Sequence, residues 1–421
     1  MKTDRLLTTL RVGILVVVTF AVLSHGAVET WARTLLALAA AVLFLLWGAW
    51  SLARGRLEIR WNSLFLPLLA FGGLVAGQWL GGLSLYPYLT KVALLQLTVY
   101  FILVFLGVQS YRTSQDLRVL LWFLLFFGFG VALLGIVQHF TFNGKLYWIR
   151  ELRFGGSPFG PFVNRNHFAG LMELLVPFGL AAVAFRALKR EEYQLAVWFT
   201  IVMIGALFLS ASRAGILCFL FQVLLLLVYA SRRRHRGRNL WAFTMVILLA
   251  GFFTVWLGIG PVLDRFSQLL QQDLSYNRRL ILSQDTGRIF IDHPWVGTGW
   301  GTFANVFPGY ASSYVRAGTL HAHNDYVQLL AETGAVGMAL ALVFVVLFYR
   351  KGLGLLQETQ DPLRAAMVAG GLVACSGILL HSLVDFNLQI PSNALLFFLL
   401  VALATSPISV TPSLSPAKNA A

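Results

Sequence analysis

The chain has 421 residues, of which 58% are hydrophobic and only 12% charged, with a mean hydropathy of +0.75. A soluble domain carries about 25% charged residues, so the composition excludes an ordinary soluble globular protein, together with disorder, collagen and coiled coil, and leaves a polytopic helical membrane protein. The formal net charge of +15 would point to nucleic acid in a soluble protein, but here Lys and Arg sit in short runs between apolar stretches, where they orient helices, and no nucleic-acid partner is expected.

The first apolar run, Val12 to Leu23, follows Lys2, Arg5 and Arg11 and is bounded by the small residues Ser24 and Gly26. That pattern also fits a secretory signal, but the next run begins almost at once, so the segment is expected to stay as an uncleaved first helix. A bilayer core takes roughly 20 apolar residues per span. The runs predict twelve spans near 10–25, 31–53, 63–81, 91–110, 117–140, 167–186, 195–211, 213–230, 239–258, 325–349, 365–384 and 390–405. The expected organisation is an all-α bundle with helices one to nine in 1–258, a large outward loop at 259–322, helices ten to twelve in 323–405, and a polar, Pro-rich, disordered tail at 406–421. Cys218 and Cys375 lie inside apolar runs and are expected to be small packing residues, not a redox or metal pair.

Most Lys and Arg fall in alternate connections, around Arg5, Arg54, Arg112, Arg186, Arg232 and Arg350. The positive-inside rule then puts both termini in the cytoplasm and turns 141–166 and 259–322 outward. The long loop holds an amphipathic stretch, Asp264 to Leu274, and a helix from about Asn277 to Ile291, closed by Asp292-His293-Pro294 and a glycine-rich turn at Gly297 to Gly301. A loop of that length between spans is uncommon without a function.

Ionisable residues at helix ends in a membrane are costly and point to function. Arg165 and His167 open the sixth span, Arg213 sits in a tight outward turn, His323 and Asp325 open the tenth, and His381 and Asp385 close the eleventh. Singly, each would suit snorkelling or capping; together they suggest one polar site at the outer interface. On a continuous helix His323 and Gly334 would share a face, with Gly337 near it, and two glycines one turn apart would let a neighbouring helix approach closely. An imidazole there suits a general base. His321-Ala322-His323-Asn324-Asp325 also begins like a hydrolase zinc motif, but Tyr326 stands where another histidine is wanted, so no metal is expected. Arg213, Arg265, Arg278, Arg279, Arg288 and Arg316 all face outward in this topology. Arginine forks suit phosphate; Arg213 and Arg288 are assigned to a diphosphate, and the adjacent pair Arg278–Arg279 to anionic lipid headgroups.

These residues resemble the bacterial O-antigen ligase family, whose relatives include O-antigen polymerases and protein O-oligosaccharyltransferases. The family motif is matched by His323-Asn324, nine residues, Gly334, two residues and Gly337; Asp285–Gly299 resembles the arginine-bearing helix and turn, and Ser212-Arg213-Ala214-Gly215 the short arginine turn. Phe162–His167 and His381–Phe386 are similar to further family segments. The resemblance implies a GT-C-type, metal-independent, inverting glycosyltransferase in the bacterial inner membrane, with a periplasmic site and no cofactor. Its donor would be an undecaprenyl diphosphate-linked glycan and its acceptor lipid A–core, with another glycan (polymerase) or a protein as alternatives. By the same resemblance His323 would be the base and Arg213 and Arg288 the diphosphate clamp. Arg265, Arg165, Asn166, Asn324, Asp385 and His321 would help to bind substrate. A lipid-glycan transporter is the distant alternative; transporters place polar groups near the bilayer midplane and show repeat symmetry, neither of which the sequence suggests.

Overall fold

The structure, a computed structural model, describes residues 2–152, 157–232, 236–258, 260, 274–312 and 319–408; of residues 2–4, 236–240, 242 and 274–278 it describes the backbone only. Among these residues the regular elements are helical, apart from isolated bridges between 146 and 164. In chain order they are α1 (Lys2–Leu23), α2 (Thr30–Ala53), α3 (Phe65–Leu80), α4 (Pro87–Ser110), α5 (Ser114–Phe140), α6 (Arg165–Ala184), α7 (Arg190–Leu209), α8 (Arg213–Ser231), α9 (Arg236–Gly258), α10 (Leu274–Asp292), α11 (Phe303–Val306), α12 (Asp325–Glu358), α13 (Pro362–His381) and α14 (Pro391–Thr405). Among the described residues nine helices are long and apolar enough to cross a membrane; α3, α14 and the Phe243–Gly258 part of α9 are shorter apolar helices. Each apolar run predicted from the sequence coincides with one of these twelve helices.

The helices start where short polar side chains can satisfy their first N–H groups. Thr113 and Asp116 form a capping box on α5, and Asn164, Ser212, Asn324 and Asp361 cap α6, α8, α12 and α13. At the centre, α6 is buried from His167 to Ala184 and packs along α13, which is buried over most of its length; α14, α5, α7 and α8 surround this pair.

Contacts between the connecting segments sort them to two ends. At one end Tyr147 Oη donates to Leu23 O (2.8 Å), Leu85 N–H to Thr298 O (2.9 Å) and Ser212 Oγ to Asn166 Oδ1 (2.9 Å). At the other, Arg11 pairs with Asp116, Arg118 with Glu192, Arg60 reaches Tyr111 O (3.0 Å), and Ser114 Oγ donates to Asp361 (3.1 Å). Ser406, expected to open a disordered tail, is instead fully buried, and Arg364 and Arg60 donate to Ser406 O and Pro407 O. Residues 409–421 and the amphipathic stretch Asp264 to Leu274, apart from the backbone of Leu274, lie outside the described residues.

One sequence expectation is corrected here. His323 does not share a helical face with Gly334. It lies two residues before α12, in the left-handed region (φ 51°), and Gly334 leaves the helix altogether (φ 63°, ψ −165°), which splits α12 into two segments. The close approach that the glycine permits is to a loop, not to a helix: a Cβ on Gly334 would lie 2.3 Å from the carbonyl of Trp295. Reciprocally, a Cβ on Gly297 would lie 2.3 Å from the backbone between Glu332 and Thr333. Ala335 and Val336 N–H groups donate to Pro294 O and Trp295 O, and Thr298 and Gly299 N–H groups to Ala331 O and Glu332 O. The carbonyls and amides freed by the break are thereby satisfied, as buried backbone requires. Gln78 of α3 completes the clamp, donating to Glu332 O (2.8 Å) and accepting from Trp300 N–H (3.0 Å), while the Glu332 carboxylate accepts from Phe303 N–H (2.8 Å). This lattice fixes the segment after α10 against the helix that follows His323.

Candidate active site

Three short sequences meet at the end of the bundle that carries residues 293–312 and 319–324. The first is the start of α6. Asn164 caps the helix by accepting from Asn166 N–H (2.9 Å), which presents the Asn166 side chain to the bundle centre. The Asn166 amide donates to Asp385 Oδ2 through Nδ2 and accepts from Ser212 Oγ at 2.9 Å through Oδ1. Ser212 in turn caps α8, accepting from Gly215 N–H (3.2 Å). Arg213 is the first residue of α8, so its backbone stands at the same rim.

The second sequence follows α13. Asp385 N–H donates to His381 O (3.1 Å), and the Asp385 side chain is completely buried. The third precedes α12. Asn324 caps that helix, accepting from Tyr326 and Val327 N–H at 3.0 and 3.1 Å. Asp325 fastens it to the 382–388 turn: its N–H donates to Ser382 O (2.9 Å), and its carboxylate accepts from Ser382 Oγ (2.8 Å) and Leu388 N–H (3.2 Å). His323 is thereby held beside Asp385, in a conformation rarely adopted by residues other than glycine, and such strain clusters at functional sites.

Around Asp385 the geometry is that of a carboxylate surrounded by cations and rings. Its Oδ1 lies 3.6 Å from His323 Nδ1 and 3.8 Å from His167 Nε2, and its Oδ2 lies 3.4 Å from Arg279 Nη2. Burial alone would raise this carboxyl, but the His323 contact and the charges of His167, His381 and Arg279 together hold it far below the ordinary carboxylate range. The aromatic ring of Phe386 fixes the imidazoles. Its centroid is 4.5 Å from His321 in a stacked arrangement, and 4.8 and 4.7 Å from His323 and His167 edge-on. His321 is pushed down to about 4 by burial and by the neighbouring His167 and His323, so it is neutral at neutral pH. His323 is about one-third exposed, whereas the carboxylate beneath it is sealed. A histidine whose one nitrogen faces a buried carboxylate and whose ring reaches the surface can accept a proton from outside and hold the resulting charge.

The arginines divide differently from the sequence expectation. Arg279, assigned there to lipid headgroups, is the one that reaches Asp385. Arg288 lies nine residues further along α10, which is two and a half turns, or about 13 Å, and on the opposite face. It is 65% exposed and pairs with Asp285 at 3.5 Å. Arg165 heads α6, its N–H donating to Ser157 O (2.8 Å). Arg265, Arg316 and the side chain of Arg278 lie outside the described residues. Asp385, expected to touch substrate, faces protein on every side, and His321 is engaged with Phe386. His321, His323 and Asp325 do not converge as a zinc triad. Among the described residues the one His/Cys/carboxylate group close enough to share an ion is Glu173, Cys218 and His381. There the His381 ring and the Glu173 carboxylate bond directly at 2.7 Å, which leaves no room for an ion between them.

An apolar cavity of about 190 Å³ leads away from this region between α3, α4, α12 and α14. Its polar lining residues include Asp325 and Tyr326, two and three residues after His323, and Gln389, and its walls include Phe71, Phe101, Leu329 and Phe398.

Residues 198–342 match the family model described as O-antigen ligase. No curated protein matches the chain. The matched segment holds His323, Arg213, Arg279 and Arg288; Asn166, His167 and Asp385, which complete the site, lie outside it.

Proposed function

We propose that this O-antigen ligase-family membrane protein is an inverting glycosyltransferase. It moves a glycan from an undecaprenyl diphosphate carrier to an acceptor hydroxyl, most directly the ligation of O-antigen to lipid A–core. The observation that carries the proposal is the placement of His323: Nδ1 faces the sealed Asp385 carboxylate at 3.6 Å while the ring opens to the surface. With the proton on Nδ1, the nitrogen that faces the Asp385 carboxylate, Nε2 presents its lone pair. The acceptor hydroxyl gives its proton to Nε2, its oxygen forms a bond to the anomeric carbon, and the bond from that carbon to the diphosphate oxygen breaks on the opposite face. The leaving diphosphate keeps the electron pair. Arg213, whose backbone stands at the same rim, takes up the charge that develops on it, and Arg288, 65% exposed on the other face of α10, meets the donor's headgroup at the surface. Arg279 acts differently: it locks Asp385 from the side away from His323.

The apolar cavity that Asp325 helps to line supports a donor with a hydrocarbon tail. The basic residues Arg11, Arg54, Arg60, Arg112 and Arg118 collect at the other end of the bundle, which by the positive-inside rule would face the cytoplasm and leave the site at the periplasmic face of the inner membrane. In this scheme the diphosphate charge is met by arginine, and a divalent ion has no part.

The test is reconstitution. Purified protein in lipid nanodiscs is given a polyprenyl-diphosphate glycan and, separately, lipid A–core, a second lipid-linked glycan repeat and a serine-containing peptide, with and without EDTA. Transfer to lipid A–core with an inverted anomeric linkage, undiminished by EDTA, is expected. Transfer to the second glycan alone would make the protein a polymerase. No transfer to any acceptor, or loss with EDTA and rescue by zinc, would overturn the proposal.

A further inference from the structure

The end of the bundle away from Asp385 holds a second concave site. It is separated from the first by the full length of α14: Asn393, in the first turn of that helix, donates to His167 O (3.0 Å), whereas Asn62 reaches Thr405 and Ser406 at the last turn (3.1 and 3.2 Å). Fifteen residues of helix span about 22 Å. A pocket of about 290 Å³ at this far end is lined by Trp50, Arg54, Arg56, Glu58 and Arg112.

Two of its three guanidinium groups, those of Arg54 and Arg112, are held by named contacts. Arg54 lies over the Trp50 ring at 4.3 Å from the centroid, a cation–π contact. Arg112 donates through Nε to Gln109 O (2.6 Å), and the neighbouring Arg60 to Val108 O (3.3 Å) and Tyr111 O (3.0 Å). Three arginines against Glu58 leave two uncompensated positive charges facing one cavity. Burial lowers the proton affinity of Arg112, Glu58 opposes and Arg54 adds to it; burial and Arg112 lower that of Arg60. Orienting a membrane helix requires positive charge near its end; it does not require like charges to converge on a concavity, where they repel. A dianion would relieve that repulsion.

The rim says where the dianion comes from. Leu52, Leu57, Ile59 and Trp61 beside the pocket are 83%, 68%, 48% and 59% exposed. Apolar side chains around a cationic pocket at the end of a membrane bundle suit a ligand with a charged head and hydrocarbon chains.

We propose that this pocket binds the headgroup of a phospholipid carrying two phosphates, of the cardiolipin type. The phosphates lie against Arg54, Arg56 and Arg112, and the acyl chains run over Leu52, Leu57, Ile59 and Trp61. Two phosphates match the two excess charges; one phosphate leaves a charge unmet, and a free pyrophosphate makes no use of the rim. The site is independent of the glycosyl transfer proposed above.

Purified protein in mixed micelles is titrated with cardiolipin, phosphatidylglycerol, phosphatidylcholine and inorganic pyrophosphate, and retained lipid is read by native mass spectrometry and thermal unfolding. Wild type is expected to retain cardiolipin over phosphatidylglycerol, and to show no binding of phosphatidylcholine. The double variant Arg54→Gln/Arg56→Gln, at two exposed side chains, is expected to weaken cardiolipin about thirtyfold. Leu57→Gln, which leaves the charges intact, weakens cardiolipin and not pyrophosphate. Unchanged cardiolipin retention in the double variant would overturn the proposal, as would displacement of cardiolipin by pyrophosphate at equal concentration.

Discussion

Replacing Asp385 by Asn keeps the shape of the side chain and removes its charge. In the native site that charge faces His323 Nδ1 at 3.6 Å, Arg279 at 3.4 Å and His167 at 3.8 Å, from a fully buried position. With an effective dielectric constant of about 20, an imidazolium and a carboxylate at that distance attract by about 4–5 kcal/mol. In the proposed transfer His323 becomes an imidazolium as it takes the acceptor proton, so this attraction acts in the transition state. Removing it is expected to lower kcat by about 10²- to 10³-fold and to leave KM for the lipid-linked donor nearly unchanged. The assay is single-turnover transfer of a labelled glycan by the purified variant, beside thermal unfolding to confirm that the bundle persists. Asp385→Asn also leaves Arg279 without its partner, so some loss of melting temperature accompanies the kinetic loss. A folded variant that transfers within fivefold of wild type would refute the role given to this carboxylate.

Gly334→Ala puts a Cβ 2.3 Å from Trp295 O in a backbone region open to glycine alone, and should cost about 2–4 kcal/mol and lower the melting temperature sharply; an unchanged melt would mean that the 294–299 segment is not clamped there. Arg279→Lys should lower kcat about tenfold without moving donor KM, whereas Arg288→Lys should raise donor KM; the reverse pattern would exchange their assignments. His321 has a folded-state pKa of about 4 against 6.5 unfolded. The unfolded chain therefore binds this proton between those values while the folded chain does not, so its contribution, at most about 3 kcal/mol, is complete above pH 6.5 and is lost as pH falls to 4. His321→Phe should flatten the decline of melting temperature across that window; an identical decline would place the acid sensitivity elsewhere.

The helices were legible because an apolar run near the bilayer thickness has few other structures open to it. The caps were not part of that reading, although Asn164, Ser212, Asn324 and Asp361 stand just before their helices and accept from the first free N–H groups. The gathering of His323, Asp385, Asn166 and Arg213 at one end followed from counting spans. What periodicity could not supply was the break at Gly334. Its cause is the backbone of Trp295 and Val296, brought in from a distant segment, and a helical wheel drawn through 323–337 has no means of registering it. The choice between Arg279 and Arg288 was hidden for a related reason. They lie on opposite faces of α10, and only the docking of that helix decides which one meets Asp385. Gln78 and Glu332 did carry a signal, as polar residues within apolar runs, and their part in clamping the glycine-rich turn could have been suspected.

The central claim, that His323 takes the acceptor's proton, is tested most directly by His323→Gln. Donor binding and single-turnover glycan transfer are measured on the same purified sample. The account predicts donor affinity close to wild type and transfer reduced by about 10²- to 10⁴-fold. A variant that binds donor and transfers glycan at near the wild-type rate would contradict it.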